Sequence, residues 1–501
     1  GVMEAPPARD SRPVVPLDRR DLALALAVFA GVGLLLGAMP QARVNLDGRG
    51  FLTMLLEGVP DDRPHVLYLA LLTGFRDLAG FFGLGIAAAA TLFSSLAVAA
   101  GCAGCLLFAR GLGLDRGSAL GVALLVATSP AALFHGTQIE VHALALGTVG
   151  IGAALTVLGP WGHFHLALLL SALALVAAFL VHETTALLGI GWVALVALAA
   201  SHHHAPDLGF RAALQRVAPT LFGGGLLAVL LVRPVRVLAA TSVGLGDETS
   251  TGYLEVVTQF GGHVGYGESL LEGILLPLGL LLVFASIGLF RSKRRECVTL
   301  VLLVLPSMAF LFWWRVPERG GYVLALLPFL AMLAWRGLPQ LGRAGKLPAL
   351  VVVLLLQASF GIAQVRAYDS VFDSNLRVEA VQAALGDEGV LLSPMLFGRP
   401  IGVDLPEVEE LWIGAWIRTA RDAGVPPEKF GPWAAEELVR GMQARPGVPV
   451  AFEANVDMAV HRATAEAALP YLRALYRAID ERFVMEEERR GEWRIALLTP
   501  R

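Results

Sequence analysis

The chain has 501 residues, of which 56% are hydrophobic and only 16% are charged. A soluble globular domain carries about a quarter charged residues, so this composition excludes an ordinary soluble protein. The net charge of -3 at pH 7 gives no support for nucleic-acid binding, which depends on a basic surface. The composition predicts a polytopic α-helical membrane protein whose surroundings are membrane lipid.

Apolar segments long enough to cross a bilayer, about 18 residues or more with few charges, recur along the chain. We predict about eleven spans. They cover roughly 21–39, 81–109, 117–134, 141–159, 164–181, 184–200, 217–237, 270–290, 297–314, 320–335 and 347–363. The stretch 66–80 is short and ends in charged residues, so it is predicted to be an interfacial helix.

Lys and Arg are concentrated in the N-terminal leader, residues 1–20, and in every second loop between the predicted spans. Cytoplasmic loops of membrane proteins carry this excess. The bias predicts a cytoplasmic leader, a transmembrane domain over 21–363 and a C-terminus outside the cytoplasm. The corresponding location is the inner membrane of a bacterium.

After Gly361 the chain becomes charged and amphipathic, which predicts a small extracytoplasmic α/β domain over 364–501. Three segments read as buried strands, namely EGVLLSPMLF, GVPVAFEAN and EWRIALLTP. Two more have helical periodicity, PWAAEELVRGMQA and ATAEAALPYLRALYRAIDERF. We find no acid pair or nucleophile constellation in this domain, so we expect it to contact an acceptor or a partner protein.

Ionisable residues gather at the outer ends of the predicted spans, whereas the inner turns hold ordinary basic anchors. Such groups are costly at membrane depth and tend to mark function. In chain order the outer turns hold Asp47, Arg49 and His65, then Glu140 and His142, then His182 and Glu183, then Arg233 and Arg236 followed by a long loop with His263, and finally Arg315, Glu318 and Arg319.

Each of these residues also has an ordinary structural interpretation. Asp47 fits a solvated loop acid or a helix N-cap, because LDGRGFLTMLLEG looks like a cap followed by an amphipathic helix. Glu140 and His142 fit a water-facing helix start, and His182 and Glu183 fit a satisfied pair on a short turn. Arg315 and Arg319 fit interface anchors that snorkel. The convergence of five polar turns on one side favours a site over these separate explanations. We predict that the residues of these turns other than Asp47 bind the donor substrate.

Transfer of a sugar from a phosphate-linked lipid to a hydroxyl group requires this set of side chains. A carboxylate at the membrane edge takes the acceptor proton as general base. Arginines stabilise the charge that grows on the leaving phosphate. We therefore take Asp47 as the candidate base, and Arg49 as its orienting partner or as a contact to the donor phosphate.

Several segments together resemble the GT-C glycosyltransferases, multi-spanning membrane enzymes that use polyprenyl-phosphate sugars, and in particular the bacterial members similar to protein O-mannosyltransferases. These segments are NLDGRGFLTMLLEG, VPDDRPHVLYLALL, QIEVHALAL, HETTALLGIGW and PERGGYVLALLPFLAMLAW, within roughly residues 20–363. The resemblance implies an inverting transfer from a lipid-linked sugar to a protein, lipid or glycan acceptor. It places Asp47 at the position of the base, and Glu140 and Arg319 at two further motif positions.

One departure concerns metal use. Many members of this family carry a second acid beside the first, where this chain has Gly48 and Arg49. The sequence therefore leaves open whether a divalent metal ion takes part.

Two other functions remain open from the sequence. A transporter or flippase for lipid-linked solutes would place ionisable groups near span centres, often in matching halves, whereas here they sit at span ends and no twofold pattern is visible. A non-catalytic scaffold subunit would keep the fold without the chemistry. We also expect the loop 238–268, which is rich in Gly, Ser and Thr, to become ordered when donor binds, with His263 or Glu268 near the site.

Overall fold

The structure is a computed structural model that describes residues 17–57, 65–158, 164–203, 210–242, 265–316, 318–341, 345–369, 373–393, 399–454 and 463–501. The chain divides into two compact units. The first unit comprises Gly1–Pro40, Asp62–Asp77 and Thr91–Gln364, and the second comprises Gln41–Asp61, Leu78–Ala90 and Val365–Arg501.

The chain up to residue 369 is helical through most of its described length. Its α-helices are α1 (Arg19–Gly37), α2 (Leu46–Glu57), α3 (Val66–Phe81), α4 (Ile86–Gly111), α5 (Arg116–Ala127), α6 (Pro130–Gly136), α7 (Val141–Val157), α8 (Phe164–Val181), α9 (Gly189–His203), α10 (Phe210–Ser242), α11 (Tyr266–Leu278), α12 (Leu280–Arg291), α13 (Arg294–Trp314), α14 (Leu327–Gly337) and α15 (Leu347–Asp369). Two 3₁₀ segments, Glu183–Leu188 and Glu318–Leu326, lead into α9 and α14.

By length and composition, 7 helices in the described ranges could cross a membrane, or up to 9 when each bent helix pair is taken as one span. The shorter apolar helices α7 and α8 account for the two remaining predicted spans. Every segment that the sequence predicted as a span is helical, and so is the predicted interfacial stretch, which forms α3. The prediction of a helical polytopic architecture is therefore confirmed.

Two of the predicted spans are bent helix pairs rather than straight helices. Between α5 and α6 the axis turns by 63°, where Ser129 caps the new helix with its hydroxyl and Pro130 occupies its first position. Between α11 and α12 the axis turns by 81° at Gly279, whose φ of 51° suits glycine. The sequence pattern of apolar residues alone did not indicate either bend.

Close helix packing fixes the start of α7. A Cβ atom placed on Gly104 of α4 would lie 2.5 Å from the carbonyl carbon of Gly150 on α7, so the two backbones touch where side chains are absent. Replacing either glycine would push the helices apart. The contact thereby sets the position of Glu140 and His142 at the N-terminal end of α7.

The second unit contains a small α/β domain built on a five-stranded sheet. Its further elements are α16 (Ser374–Leu385), β1 (Glu388–Ser393), β2 (Glu407–Trp412), α17 (Ile413–Asp422), α18 (Pro427–Ala444), β3 (Val450–Glu453), α19 (Ala463–Arg482), β4 (Phe483–Arg490) and β5 (Trp493–Pro500). The strand order is β2-β1-β3-β5-β4. The pairs β1–β2 and β1–β3 are parallel, and the pairs β3–β5 and β4–β5 are antiparallel.

The three strands predicted from sequence, now β1, β3 and β5, are confirmed, and they form the interior of the sheet. The two strands that the sequence analysis missed, β2 and β4, are its edges. Their sequences, EVEELW and FVMEEERR, carry charges that edge strands tolerate because one side faces solvent. The two helical segments predicted in this domain lie within α18 and α19.

Candidate functional site

Four histidines from separate parts of the first unit lie side by side in its interior, His135 edge-on to His142. Ring centroids are 5.1 Å apart for His65 and His182, 4.4 Å for His182 and His142, and 5.9 Å for His142 and His135. All four are buried, with exposures of 9% or less. We call this group the histidine row. Three of its members, all but His135, were predicted as donor-binding residues.

Local structure at helix ends places each member of the row. His65 precedes α3, and its Nδ1 lies 3.0 Å from the carbonyl oxygen of Val181. His182 caps the segment Glu183–Leu188, where its Nδ1 accepts from the backbone N–H of Thr184 at 3.4 Å and lies 2.7 Å from the Thr184 hydroxyl. His142 lies in the first turn of α7. The row thus forms where several helices begin or end at the same level.

An acid and a tyrosine adjoin the row at His142. The His142 Nε2 lies 2.9 Å from Glu318 Oε2, and the Tyr322 hydroxyl donates to Glu318 Oε1 at 3.3 Å. Tyr322 in turn accepts a hydrogen bond from Trp314 Nε1 at 3.1 Å, and its ring packs against both His142 and His182. The Glu318 side chain is 34% exposed whereas that of His142 is 4% exposed, so Glu318 is where this cluster reaches the surface of the unit.

The segment that carries Glu318 has an unusual backbone. Arg315, Glu318 and Arg319 have positive φ values of 53°, 36° and 48°, and Gly320 follows at 84°. Residues other than glycine rarely adopt this backbone conformation. It costs about 1–3 kcal/mol at each residue and persists only where surrounding contacts hold it. At the next residue, Gly321, an added Cβ would collide with the His142 ring. The loop therefore packs against His142 only because residue 321 is glycine.

The two predicted arginines of this loop lie over aromatic rings. The guanidinium of Arg315 is 4.7 Å from the centre of the Tyr266 ring, and that of Arg319 is 5.3 Å from the centre of the Phe134 ring. Arg319 is exposed. Because Phe134 directly precedes His135, this contact places the Arg319 charge beside the end of the histidine row.

A second charged pair lies beside the other end of the row. Glu183 and Arg236 line one small opening together with Val66, Leu67, Phe179 and Leu180. Glu183 follows His182 directly, and Val66 follows His65. Arg233 lies one helical turn earlier on α10 and is exposed. The structure therefore brings Glu183 and Arg236 to one place, close in sequence to two members of the row.

Glu140 serves as a helix cap. It is 4% exposed, and its Oε1 accepts the N–H of Val141 at 2.9 Å at the start of α7. Its backbone N–H donates to Ser94 Oγ at 3.2 Å, which ties the cap to α4. Glu140 therefore lies at a helix start, as the structural alternative from the sequence had it, but the start is buried rather than water-facing.

Asp47 and Arg49 belong to the second unit, on α2. Asp47 lies in the first turn of the helix rather than at its N-cap, which is Asn45, whose Oδ1 accepts the N–H of Gly48 at 2.6 Å. Asp47 is half-buried. Arg49 is buried, and its Nη2 lies 2.6 Å from Glu410 Oε1. The guanidinium predicted to orient the base or to bind donor phosphate is thus engaged with the C-terminal domain.

Glu410 belongs to a buried charge cluster that the sequence analysis did not anticipate. Arg377 contacts both Glu410 and Glu453, and Ser393 Oγ donates to Glu453 Oε2 at 2.7 Å. Burial alone would raise the pKa of Glu410, but the charges of Arg377 and Arg49 hold that pKa well below its usual range. Burial raises the pKa of Glu453 against the opposing charge of Arg377. The two carboxylates of the cluster are therefore in electrostatically different environments.

The remaining predictions concern metal binding and the long loop. Across the residues that the structure describes, no group of three or more His, Cys, Asp or Glu side chains is arranged to hold a metal ion. His263 and most of its loop, residues 243–264, lie outside the described residues. Residues 238–242, expected to belong to this loop, continue α10 instead, and Glu268 lies in α11. Tyr322 and Trp314 were missed because an aromatic residue in an apolar span gives no signal of its own.

No family model and no curated protein matches the chain. Among solved structures it is similar to ArnT from Cupriavidus metallidurans bound to undecaprenyl phosphate, with 13% identity and a TM-score of 0.62 over 95% of this chain and 97% of ArnT. Apo ArnT gives a TM-score of 0.63 at the same identity and coverage. The apo oligosaccharyltransferase of Archaeoglobus fulgidus gives 0.53, with 12% identity over 93% of this chain and 72% of that enzyme. The chain therefore has the GT-C glycosyltransferase fold of polytopic membrane proteins, as the sequence resemblance predicted.

Proposed function

We propose that the chain is an inverting glycosyltransferase that moves a sugar from a polyprenyl-phosphate donor to a hydroxyl of a protein, lipid or glycan acceptor. The reaction takes place at the extracytoplasmic face of a bacterial inner membrane, with the N-terminus in the cytoplasm and the C-terminal domain outside. The observation that carries the proposal is the assembly, in the first unit, of the histidine row, Glu318, Tyr322 and Arg319 from predicted outer turns. It stands in a fold shared with an enzyme bound to undecaprenyl phosphate.

The donor is bound by the cationic groups around the row. Arg319 and Arg315, from the left-handed loop, contact its phosphate, and Arg236 and Arg233, from α10 at the other end of the row, contact another part of the donor. Guanidinium groups suit phosphate because two parallel N–H groups match two oxygens. The row itself and the Tyr322 hydroxyl offer further hydrogen-bond donors. As the sugar–phosphate bond breaks, charge grows on the phosphate oxygen, and these groups stabilise it.

Asp47 acts as the general base for the acceptor hydroxyl. A single displacement with inversion needs one base on the acceptor and stabilisation of the leaving phosphate, and no covalent intermediate on the protein. Asp47 is half-buried in the first turn of α2. Arg49, engaged with Glu410, has no part in donor binding in this proposal.

The test uses cells that lack the protein, because the sugar is unidentified. A polyprenyl-phosphate sugar is expected to accumulate in their lipid extract and to disappear on complementation with the wild-type chain, as followed by mass spectrometry. Asp47→Asn should leave the lipid accumulated. Asp77→Asn removes an exposed carboxylate paired with Arg76 and serves as the matched control. It should restore turnover.

Two outcomes would overturn the proposal. A lipid extract unchanged by loss of the protein would indicate a scaffold rather than an enzyme. Accumulation on the cytoplasmic face alone, reversed equally by wild type and Asp47→Asn, would indicate a flippase. Full complementation by folded Asp47→Asn without a change of face would remove Asp47 from the mechanism.

A further inference from the structure

The segment that carries Asp47 is fixed to the rest of the second unit on its N-terminal side. The backbone N–H of Arg43 donates to Asp369 Oδ1 at 3.3 Å. The Arg43 guanidinium lies 3.9 Å from the centre of the Tyr368 ring. The chain is thus tethered shortly before it enters α2.

The same segment is fixed on its C-terminal side through Arg49. The Arg49–Glu410 pair, at 2.6 Å, is largely shielded from water, with side-chain exposures of 8% and 11%. The second oxygen of Glu410 accepts the backbone N–H of Ile401 at 2.9 Å. Ile401 begins a short 3₁₀ turn that packs against α2. One carboxylate therefore holds both the helix and the turn that supports it.

Glu410 is itself immobilised by the sheet. It lies on β2 and is contacted by Arg377, whose side chain is fully buried. Arg377 also contacts Glu453 on β3, and its guanidinium lies 5.5 Å from the centre of the Trp493 ring on β5. The cluster joins three strands, so the anchor of Arg49 moves only if the sheet moves.

The first turn of α2 needs such an anchor because its sequence is a poor helix former. Asp47 and Arg49 alternate with Gly48 and Gly50. Glycine loses more conformational freedom in a helix than any other residue, so this turn has little stability of its own. The cap from Asn45 fixes its start, and Arg49 is the side chain that holds it to a rigid element.

We propose that Arg49 and Glu410 are positioning residues that hold the Asp47 carboxylate in its working orientation through the C-terminal sheet. The proposal rests on the proposed function, in which Asp47 is the base. A base must be held close to a fixed geometry, since a misplacement of about 1 Å lowers a rate by about a hundredfold. The C-terminal domain thereby supports the chemistry without contributing a reacting group.

The experiment compares Arg49→Met with Arg445→Met in the full-length chain in lipid nanodiscs. Arg445 pairs with Glu409, the neighbour of Glu410 on β2, but this pair is exposed and lies outside the buried cluster. Hydrogen exchange is measured for the amides of residues 46–52. Turnover is measured with the polyprenyl-phosphate sugar extracted from cells that lack the protein. Arg49→Lys, which keeps the charge, tests for partial rescue.

We expect Arg49→Met to raise exchange in residues 46–52 and to lower kcat by about tenfold to a hundredfold while donor KM stays near the wild-type value. Arg49→Lys should recover part of kcat. Arg445→Met should leave both quantities unchanged. This pattern separates positioning by the buried Arg49–Glu410 pair from the loss of any arginine–glutamate pair at β2.

Two results would overturn the positioning role. Unchanged exchange in Arg49→Met would show that the pair does not hold the turn. If Arg49→Met raises exchange but keeps the wild-type kcat, catalysis does not need the anchor. The proposed function would still stand in that case, provided that Asp47→Asn is inactive. An active Asp47→Asn variant identifies the separate case in which the proposed function itself fails.

Discussion

Glu410 and Glu453 contact the same buried arginine, yet neutralising them should have unequal effects. Glu410→Gln removes the charge that two buried guanidinium groups share, those of Arg49 and Arg377. Breaking a buried ion pair costs about 3–5 kcal/mol because an uncompensated charge stays in the interior. Glu453→Gln leaves Glu410 to neutralise Arg377, so we expect it to cost about 1–2 kcal/mol, the value of altered hydrogen bonds.

The contributions of Glu410 and Glu453 to the free energy of unfolding should depend on pH with opposite signs. The folded pKa of Glu410 lies below its ordinary value, so its stabilising effect is present above the unfolded pKa and is lost as pH falls through the folded pKa. The folded pKa of Glu453 is raised by burial, so its contribution is present below the unfolded pKa and is lost as pH rises through the folded pKa. Glu410→Gln should therefore remove the acid-induced loss of stability, and Glu453→Gln should remove the decline toward neutral pH.

Hydrogen exchange of the amides in β1 and β3, followed between about pH 3 and 8 so that the range includes the ordinary glutamate pKa, gives the free energy of opening of the sheet for each variant. The full-length chain in nanodiscs is used. Ser393→Ala is the control for loss of a hydrogen bond without loss of charge. If Glu453→Gln costs as much as Glu410→Gln at pH 7, the assignment of unequal environments is refuted.

Three further predictions concern the first unit. Gly321→Ala should displace the His142 ring and weaken binding of undecaprenyl phosphate by about tenfold, measured by native mass spectrometry. Gly189→Ala, with no heavy atom within 4 Å of the added Cβ, is the control and should bind normally. Arg319→Met should weaken the same binding by about ten- to a hundredfold, as loss of a charge-assisted hydrogen bond does; equal binding would exclude this arginine from the donor site. Gly104→Val should separate α4 from α7 and lower the yield of folded protein in detergent size-exclusion chromatography, and an unchanged profile would contradict the close-packing interpretation.

The helices and the clustering of polar turns could be predicted because both follow from simple periodicity. A span is marked by its length and apolar content, and alternate span ends meet on the same side of a membrane. This reasoning placed His65, His142 and His182 on one side, and the structure stacks their rings. It could not give the order of stacking or the contact to Glu318, because ring packing over about 5 Å depends on rotamers and helix rotation that the sequence pattern does not specify.

The cluster around Arg49 could not be predicted from the sequence for a different reason. Its partner Glu410 is separated from it by 361 positions and lies in an edge strand that the pattern did not reveal. Interior strands appear in the sequence as apolar runs, whereas β2, EVEELW, has three acids among its six residues and contains no such run. Missing the strand meant missing the acid that anchors Arg49, so that Asp47 and Arg49 seemed to be neighbours with related roles.

The structure separates those two roles by what each side chain contacts. Asp47 and Arg49 are two positions apart, so on a helix they point in different directions. Arg49 points toward Glu410 and the sheet, and Asp47 remains half-exposed on another side of the turn. Asp47 and Arg49, although close in sequence, thus need not form an ion pair with each other. The glycines between and after them weaken the turn, and Arg49 fixes it from one side while the Asp47 side chain stays half-exposed.

This arrangement predicts the effect of swapping the two residues, with Arg at 47 and Asp at 49. The swap preserves net charge but should abolish both the anchor to Glu410 and the turnover of the donor lipid. Turnover by a folded swapped variant would show that the direction of the carboxylate is unimportant.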